Sequence, residues 1–98
     1  MHPIVAVTSR SFSANATLRK NLLQEFPGAR FNDEGLRLEG ESLVTFLSGA
    51  VGAIVGIEPI RGSILAQLPH LRVLSKFGVG LDSIDLKEVR ERGIQLAA

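Results

Sequence analysis

The sequence contains no cysteine, tryptophan or tyrosine. Without cysteine there are no disulfides, no thiol nucleophile and no thiolate metal site. Phenylalanine supplies all the aromatics. The core must therefore be built mainly from Leu, Ile, Val and Ala. Long apolar runs are also missing. The longest, Ala50 to Ile57, is interrupted by two glycines and falls far short of the roughly 20 residues that span a bilayer. The N-terminus passes from Met1-His2-Pro3 straight into Ile4-Val5-Ala6-Val7, with no basic region of the kind that opens a secretory signal. A cytoplasmic location and no membrane partner are expected. Charge of one sign is not concentrated anywhere. The formal net charge is +1 with the two signs interspersed, so the clustered Lys and Arg of a nucleic-acid surface are lacking. His2 and His70 are far apart and have no ligand spacing around them, and no metal site is expected.

What is present is a chain of 98 residues with 45% hydrophobic content, enough for one domain with one modest core. Ile4–Thr8 is a short β-branched run and predicts a buried first strand. Leu18, Leu22 and Phe26 recur every four residues, which predicts a helix over Asn15–Phe26, capped by Ser13 or Asn15 and stopped by Pro27-Gly28. Ala29–Asn32 suits a very short strand. Leu43, Val44, Phe46 and Leu47 form a helical stripe within Glu41–Leu47, closed by Gly49. Ala53–Ile57 is apolar on both faces, as a central parallel strand requires. A short helix over Ser63–Leu68 and a strand over Leu71–Lys76 follow. In that strand the set Leu71, Val73 and Ser75 is the more apolar and is expected to be the better buried, while alternation does not settle Leu74, because helices can cover both faces. Asp85–Arg92 carries the best-marked helix signals, with Asp85 as N-cap, Glu88 in a capping-box relation and Gly93 just past the end. Ile94–Ala97 begins another strand.

Strands and helices alternate throughout. The expected fold is α/β, three-layered, with an open parallel sheet of about five strands joined by right-handed crossovers. Ligands of such sheets bind beyond the carboxyl ends of the strands, which directs attention to Ser9–Ser13, Glu58–Gly62 and Phe77–Ser83. The apolar terminus Ile94–Ala98 has no polar tail. It reads as a cut at a domain boundary, against the alternative of a short protein ending in an edge strand.

Lys76-Phe77-Gly78-Val79-Gly80-Leu81-Asp82 is the strongest candidate site. Two glycines flanking Val79 after a strand can aim consecutive backbone N–H groups at an anion such as a carboxylate, and Lys76 can add positive charge. A tight turn without a ligand is the plainer alternative. The segment is not a dinucleotide fingerprint, because Ser83 stands where the third glycine belongs. Glu58 is a candidate wall of the site and Arg61 a candidate second contact for a carboxylate, against ordinary loop charges. Arg10 lies after the first strand, near the same edge. His70 precedes a strand and falls at the opposite end. No acid–base or nucleophile–base pair emerges, so no catalytic residue is assigned.

The run from Leu71 to Leu86, followed by Lys87–Gln95, resembles the D-isomer-specific 2-hydroxyacid dehydrogenases, a family that includes phosphoglycerate, glycerate and formate dehydrogenases. The shared pattern is a strand, a Gly-x-Gly turn, an Asp-x-Ile-Asp helix start and a Gly-Ile strand start. Ala53–Leu68, with its Glu58-Pro59 turn, is similar to the preceding strand and helix of several members. The resemblance implies a flavodoxin-like, substrate-side domain over residues 1–98, ahead of a separate NAD- or NADP-binding Rossmann domain. It implies that Val79 and Gly80 hold the carboxylate of a small 2-hydroxy or 2-oxo acid through their N–H groups, with Lys76, Phe77 and Gly78 lining the same turn. The family's catalytic Arg, Glu and His would lie in later sequence, so these residues would bind no cofactor and have no activity alone. Glu58-Pro59 stands roughly where phosphoglycerate-type members place a phosphate-reading Arg, which weakens that substrate unless Arg61 compensates. A terminal helix of the family packs on this domain, so an apolar face is expected to be left open, allowing a homodimer. The alternatives are a non-catalytic binding or regulatory module of the same fold and a flavodoxin- or receiver-like signalling domain. A receiver needs clustered acids after the first strand, where Thr8-Ser9-Arg10 stands instead.

Overall fold

The computed structural model describes residues 3–97. His2 and Ala98 lie outside the described residues. The elements in chain order are β1 (Val5–Val7), α1 (Arg10–Ala14), α2 (Ala16–Glu25), β2 (Arg30–Phe31), α3 (Gly40–Leu47), β3 (Gly52–Val55), α4 (Gly62–Leu65), β4 (Val73–Lys76), α5 (Leu86–Glu91) and β5 (Gln95–Ala97). All five strands are parallel and their order is β2-β1-β3-β4-β5. This is the flavodoxin-like order and confirms the expected architecture. The strand order reverses between β1 and β3, so the crevice beyond the carboxyl ends of those two strands is the favoured ligand position.

The register explains the core. Ala6, Ala53, Leu74 and Leu96 stand side by side across four strands. Ala6 and Leu74 are fully buried and Ala53 nearly so. They belong to one cluster with Leu43 and Leu47 of α3, Ile64 and Leu65 of α4, and Val89 of α5. Small residues at the centre of the sheet let three Leu/Ile-bearing helices approach closely.

Of the set expected to be buried, Leu71 is, but Val73 is not. Within β4, Leu74 is the buried residue and Val73 is 37% exposed. Leu74 lies on the face under α3, α4 and α5. Val73 pairs with Gly52 and Gln95 on the other face, where Gln95 and Ala97 are also exposed. That face is uncovered at β4 and β5, where Ser75 and Gln95 make it only partly apolar; at β1 the same face buries Val5 and Val7.

Three local expectations also change. A five-residue helix, α1, occupies the segment read as a loop; the Ser9 hydroxyl caps it by accepting from the Phe12 N–H at 3.2 Å. Asn15 then caps α2 by accepting from the Leu18 N–H at 3.0 Å. No residue of α2 is fully buried, so its Leu18–Leu22 stripe is a half-covered surface. At α5, Asp85 is the N-cap as expected, accepting from the Glu88 N–H at 3.2 Å. The reciprocal half of the capping box does not form. The Asp85 N–H donates to the Ile60 carbonyl at 2.9 Å, and Glu88 instead pairs with Arg92 at 3.1 Å.

Candidate functional site at the strand carboxyl ends

The loops after β1, β3 and β4 meet at the carboxyl edge of the sheet. β3 ends two residues earlier than its apolar pattern suggests, and Ile57 is 76% exposed. The reason lies in Glu58, which is buried. Its Oε1 accepts from the Gly56 N–H at 2.7 Å and from the Thr8 hydroxyl. The carboxylate thus turns back into the protein and ties the end of β1 to the end of β3. Asn32 makes a matching tie on the other side of β1. Its side-chain amide donates to the carbonyls of Thr8, at 3.0 Å, and Leu36, at 2.9 Å, while its Oδ1 accepts from the Leu36 N–H at 3.0 Å. Sequence reasoning misses Thr8 and Asn32. The available signal is a polar residue closing an apolar strand.

The loop after β3 is further tied to the loop after β4. Ile60 and Ile84 form a parallel bridge, with the Ile60 N–H donating to the Ser83 carbonyl at 2.8 Å. A side chain at Gly62 would begin 2.8 Å from Glu88 Cγ, so glycine there permits α4 and α5 to start in contact. The Ser83 hydroxyl is buried without a partner among the described residues. It is not the helix cap, which is Asp85.

The Gly78–Gly80 turn behaves differently. The Phe77 N–H still donates to the Val55 carbonyl at 2.8 Å, as the last rung of the ladder. Beyond it the N–H groups of Gly78, Val79 and Gly80 have no protein acceptor among the described residues. Gly78 has φ 123° and Gly80 φ 82°, conformations that side chains disfavour. Val79 is 97% exposed, so its side chain plays no part in packing. A side chain at Gly78 would begin 3.7 Å from Lys76 Nζ. The ammonium therefore lies beside the turn, where it adds positive charge to the free N–H donors. The turn does not open a helix, since α5 starts only at Leu86. That is unlike the Gly-rich turn of a dinucleotide site, which leads directly into one.

Phe77 is fixed from α1. Its ring meets Phe12 edge-on, with centroids 5.2 Å apart at 85°, an arrangement worth about 0.5–1.5 kcal/mol beyond burial. Phe77 also lines a depression of about 260 Å³ at the β1/β3 reversal, with Ser9, Arg10, Ser11, Gly56 and Glu58 among its walls. Arg61 is exposed at the start of α4 and lines a neighbouring depression. The structure thus brings Phe77, Glu58 and Arg10 to one edge. Lys76, Gly78, Val79 and Gly80 form the adjacent open turn. A larger hollow of about 630 Å³ runs along α1 and α2 between Ala14 and Gln24, away from the strand ends. Among the described residues no group of His, Asp or Glu is placed to hold a metal ion, and no helix is long and apolar enough to cross a membrane.

Comparison with known proteins bears on the fold and the family. Comparison with the curated proteins gave no match. Among solved structures, a protein assigned as a D-isomer specific 2-hydroxyacid dehydrogenase from Polaromonas sp. JS6 66 is similar over 98% of this chain, with 23% identity and a TM-score of 0.88. The TT0316 protein from Thermus thermophilus is similar over 95%, with 29% identity and a TM-score of 0.70. The D-lactate dehydrogenase of Aquifex aeolicus, solved with NAD and lactic acid, is similar over 95%, with 16% identity and a TM-score of 0.71. The chain spans 30%, 29% and 26% of these three structures, respectively. The family profile described as D-isomer specific 2-hydroxyacid dehydrogenase, catalytic domain, matches residues 5–98. With the sheet order and the whole matched length in agreement, the chain belongs to the D-isomer specific 2-hydroxyacid dehydrogenase family.

Proposed function

We propose that this chain is the substrate-side part of an NAD- or NADP-dependent oxidoreductase that interconverts a small D-2-hydroxy acid and its 2-oxo acid. Its contribution is to hold the substrate carboxylate. The observation that carries this reading is the set of unbonded N–H groups at Gly78–Gly80, held by two positive-φ glycines with Lys76 Nζ alongside. Two backbone donors and an ammonium suit a carboxylate, and charge-assisted bonds of this kind are the stronger ones. Phe77 forms the apolar flank of the same corner. Glu58 acts indirectly, by fixing the β3 loop against β1, and Arg61 borders the edge further out.

The remaining chemistry belongs to polypeptide beyond these residues. The turn and its surroundings do not make a dinucleotide site, so the nicotinamide, which would exchange hydride with the 2-carbon, is assigned to a separate Rossmann domain. No acid–base pair is formed at this edge among the described residues, and His70 sits before β4, at the opposite end of the sheet. The fragment is therefore proposed to bind acid without turning it over. The open face around Val73 is proposed to support a weak homodimer of the isolated chain, which sedimentation at increasing concentration would reveal as a rising average mass.

The test of the carboxylate reading is a titration of the isotopically labelled chain with pyruvate, followed by amide NMR. The largest shifts are expected at Val79 and Gly80, and the Gly80 shift is expected to weaken in Val79→Pro, which removes the Val79 donor and whose spectrum should remain dispersed. Shifts confined to Ser9–Ser11 would contradict the assignment.

A further inference from the structure

The Gly78–Gly80 turn hangs between two limbs, and one of them is held by an aromatic contact from another element. On the downstream side the Ile84 N–H donates to the Leu81 carbonyl at 3.1 Å, and the Ile60–Ile84 bridge fixes the chain beyond it. On the upstream side the Phe77 N–H is bonded to Val55, and the Phe77 ring meets Phe12 edge-on. Between the limbs, Gly78 and Gly80 offer little resistance of their own to rotation. None of the three N–H groups there is bonded within the protein among the described residues. The direction of these donors is therefore set by how the chain leaves Phe77 and how it returns at Leu81. The hydrogen bond fixes one point of Phe77. The clamped ring fixes the direction of its Cα–Cβ bond, and the two together fix the exit.

Phe12 is placed to act as the anchor of this pair. It is buried, whereas Phe77 is 38% exposed. The five-residue helix α1 that carries it is too short to stand by itself, and it is tied down along its length. The Phe12 N–H donates to Ser9 Oγ, and the Phe12 carbonyl accepts from the Asn15 N–H at 3.0 Å. One residue on, the Ser13 hydroxyl donates to the Val7 carbonyl at 3.4 Å and accepts from the Asn32 N–H at 3.0 Å. These bonds fasten α1 to β1 and to the chain after β2. Phe12 is not among the walls of the depression that Phe77 lines, so it acts through Phe77 and not on a ligand.

We infer that Phe12 is a positioning residue for the substrate carboxylate: by holding the Phe77 ring, it orders the Gly78–Gly80 turn before the acid arrives. Donors that are already ordered lose little freedom on binding, which raises affinity. The inference rests on the carboxylate reading of the turn and adds to it the residue that sets the turn's geometry.

The test uses Phe12→Leu, which keeps an apolar side chain but removes the ring. Phe77→Leu removes the same contact from the exposed side without emptying the core. Nitrogen relaxation of the free chain should show lower order parameters at Gly78, Val79 and Gly80 in both variants, with the amides of β1 and β3 unchanged. Pyruvate titration followed at Val79 and Gly80 should show binding weakened by about two- to tenfold in Phe12→Leu, the range an aromatic pair supplies. The double variant should bind no more weakly than Phe77→Leu alone, because Phe12 has no other route to the acid. Val89→Ala hollows the core on the opposite face of the sheet. It should lower the midpoint of urea unfolding and leave pyruvate affinity as it was, which separates positioning from a general loss of stability. Circular dichroism would verify that each variant is folded. Unchanged order parameters or unchanged affinity in Phe12→Leu, with the response at Val79 and Gly80 intact, would overturn the inference and leave the turn reading standing. Additive losses in the double variant, or an equal loss of affinity in Val89→Ala, would likewise overturn it. Silence at Val79 and Gly80 in the unaltered chain would overturn both.

Discussion

The loops that leave β3 and β4 start from neighbouring strands, yet they treat their polar groups in opposite ways. After β3, Gly56 N–H is bonded within two residues by Glu58, Glu58 is bonded by Thr8, and Ile60 is bonded to the next loop. After β4, three successive N–H groups are left without a protein partner among the described residues, and the residue between the glycines is almost wholly exposed. A buried donor without a partner is costly, but a donor facing solvent is not. The closed loop thus supplies rigidity, and the open one keeps its hydrogen-bonding capacity for something else. The contrast teaches that a site of this type needs both: donors that are free, and a neighbouring loop too well bonded to collapse onto them.

The comparison breaks most severely at Glu58. Glu58→Ala should cost about 1.5–3 kcal/mol, because it strands the buried Gly56 N–H and the Thr8 hydroxyl, as read from the midpoint of urea unfolding. Thr8→Val keeps the shape and removes one donor to the carboxylate, with an expected loss of about 1–2 kcal/mol in the same assay. Gly80→Ala places a side chain at φ 82° and should cost about 1 kcal/mol through backbone strain alone, with no hydrogen bond lost. Val79→Ala should change stability by less than about 0.5 kcal/mol. A substantial loss in that last variant would mean that the turn is packed rather than open.

The fold is largely legible in the sequence because its signals are local. Strand and helix alternate, Asp85 caps α5, and the apolar strands Ile4–Thr8 and Ala53–Ile57 mark a buried parallel sheet. The family pattern from Leu71 to Ile94 points to the same architecture. Local reading fails where coverage by other elements decides. Nothing in Leu71–Lys76 says which face of this strand is roofed by helices, so alternation puts Val73 inside and leaves Leu74 open. The end of β3 escapes local reading because a glutamate three residues beyond the strand pulls the chain into a turn, a contact with Thr8 that lies 50 positions away. At the candidate site, the Gly78-Val79-Gly80 geometry follows from two glycines after a strand. The inward carboxylate of Glu58 and the edge-on meeting of Phe12 with Phe77 do not, since those contacts arise only through the topology.

Hydrogen exchange resolved to single amides tests the central claim most directly, with the chain free and then saturated with a small 2-hydroxy acid. In the free chain the amides of Val79 and Gly80 should exchange without protection, while those of Phe77 and Ile60, which are bonded to Val55 and Ser83, should exchange slowly. Adding the acid should slow Val79 and Gly80 and leave the other two as they were. Protection of Val79 and Gly80 in the free chain, or no change on adding the acid, would contradict the account.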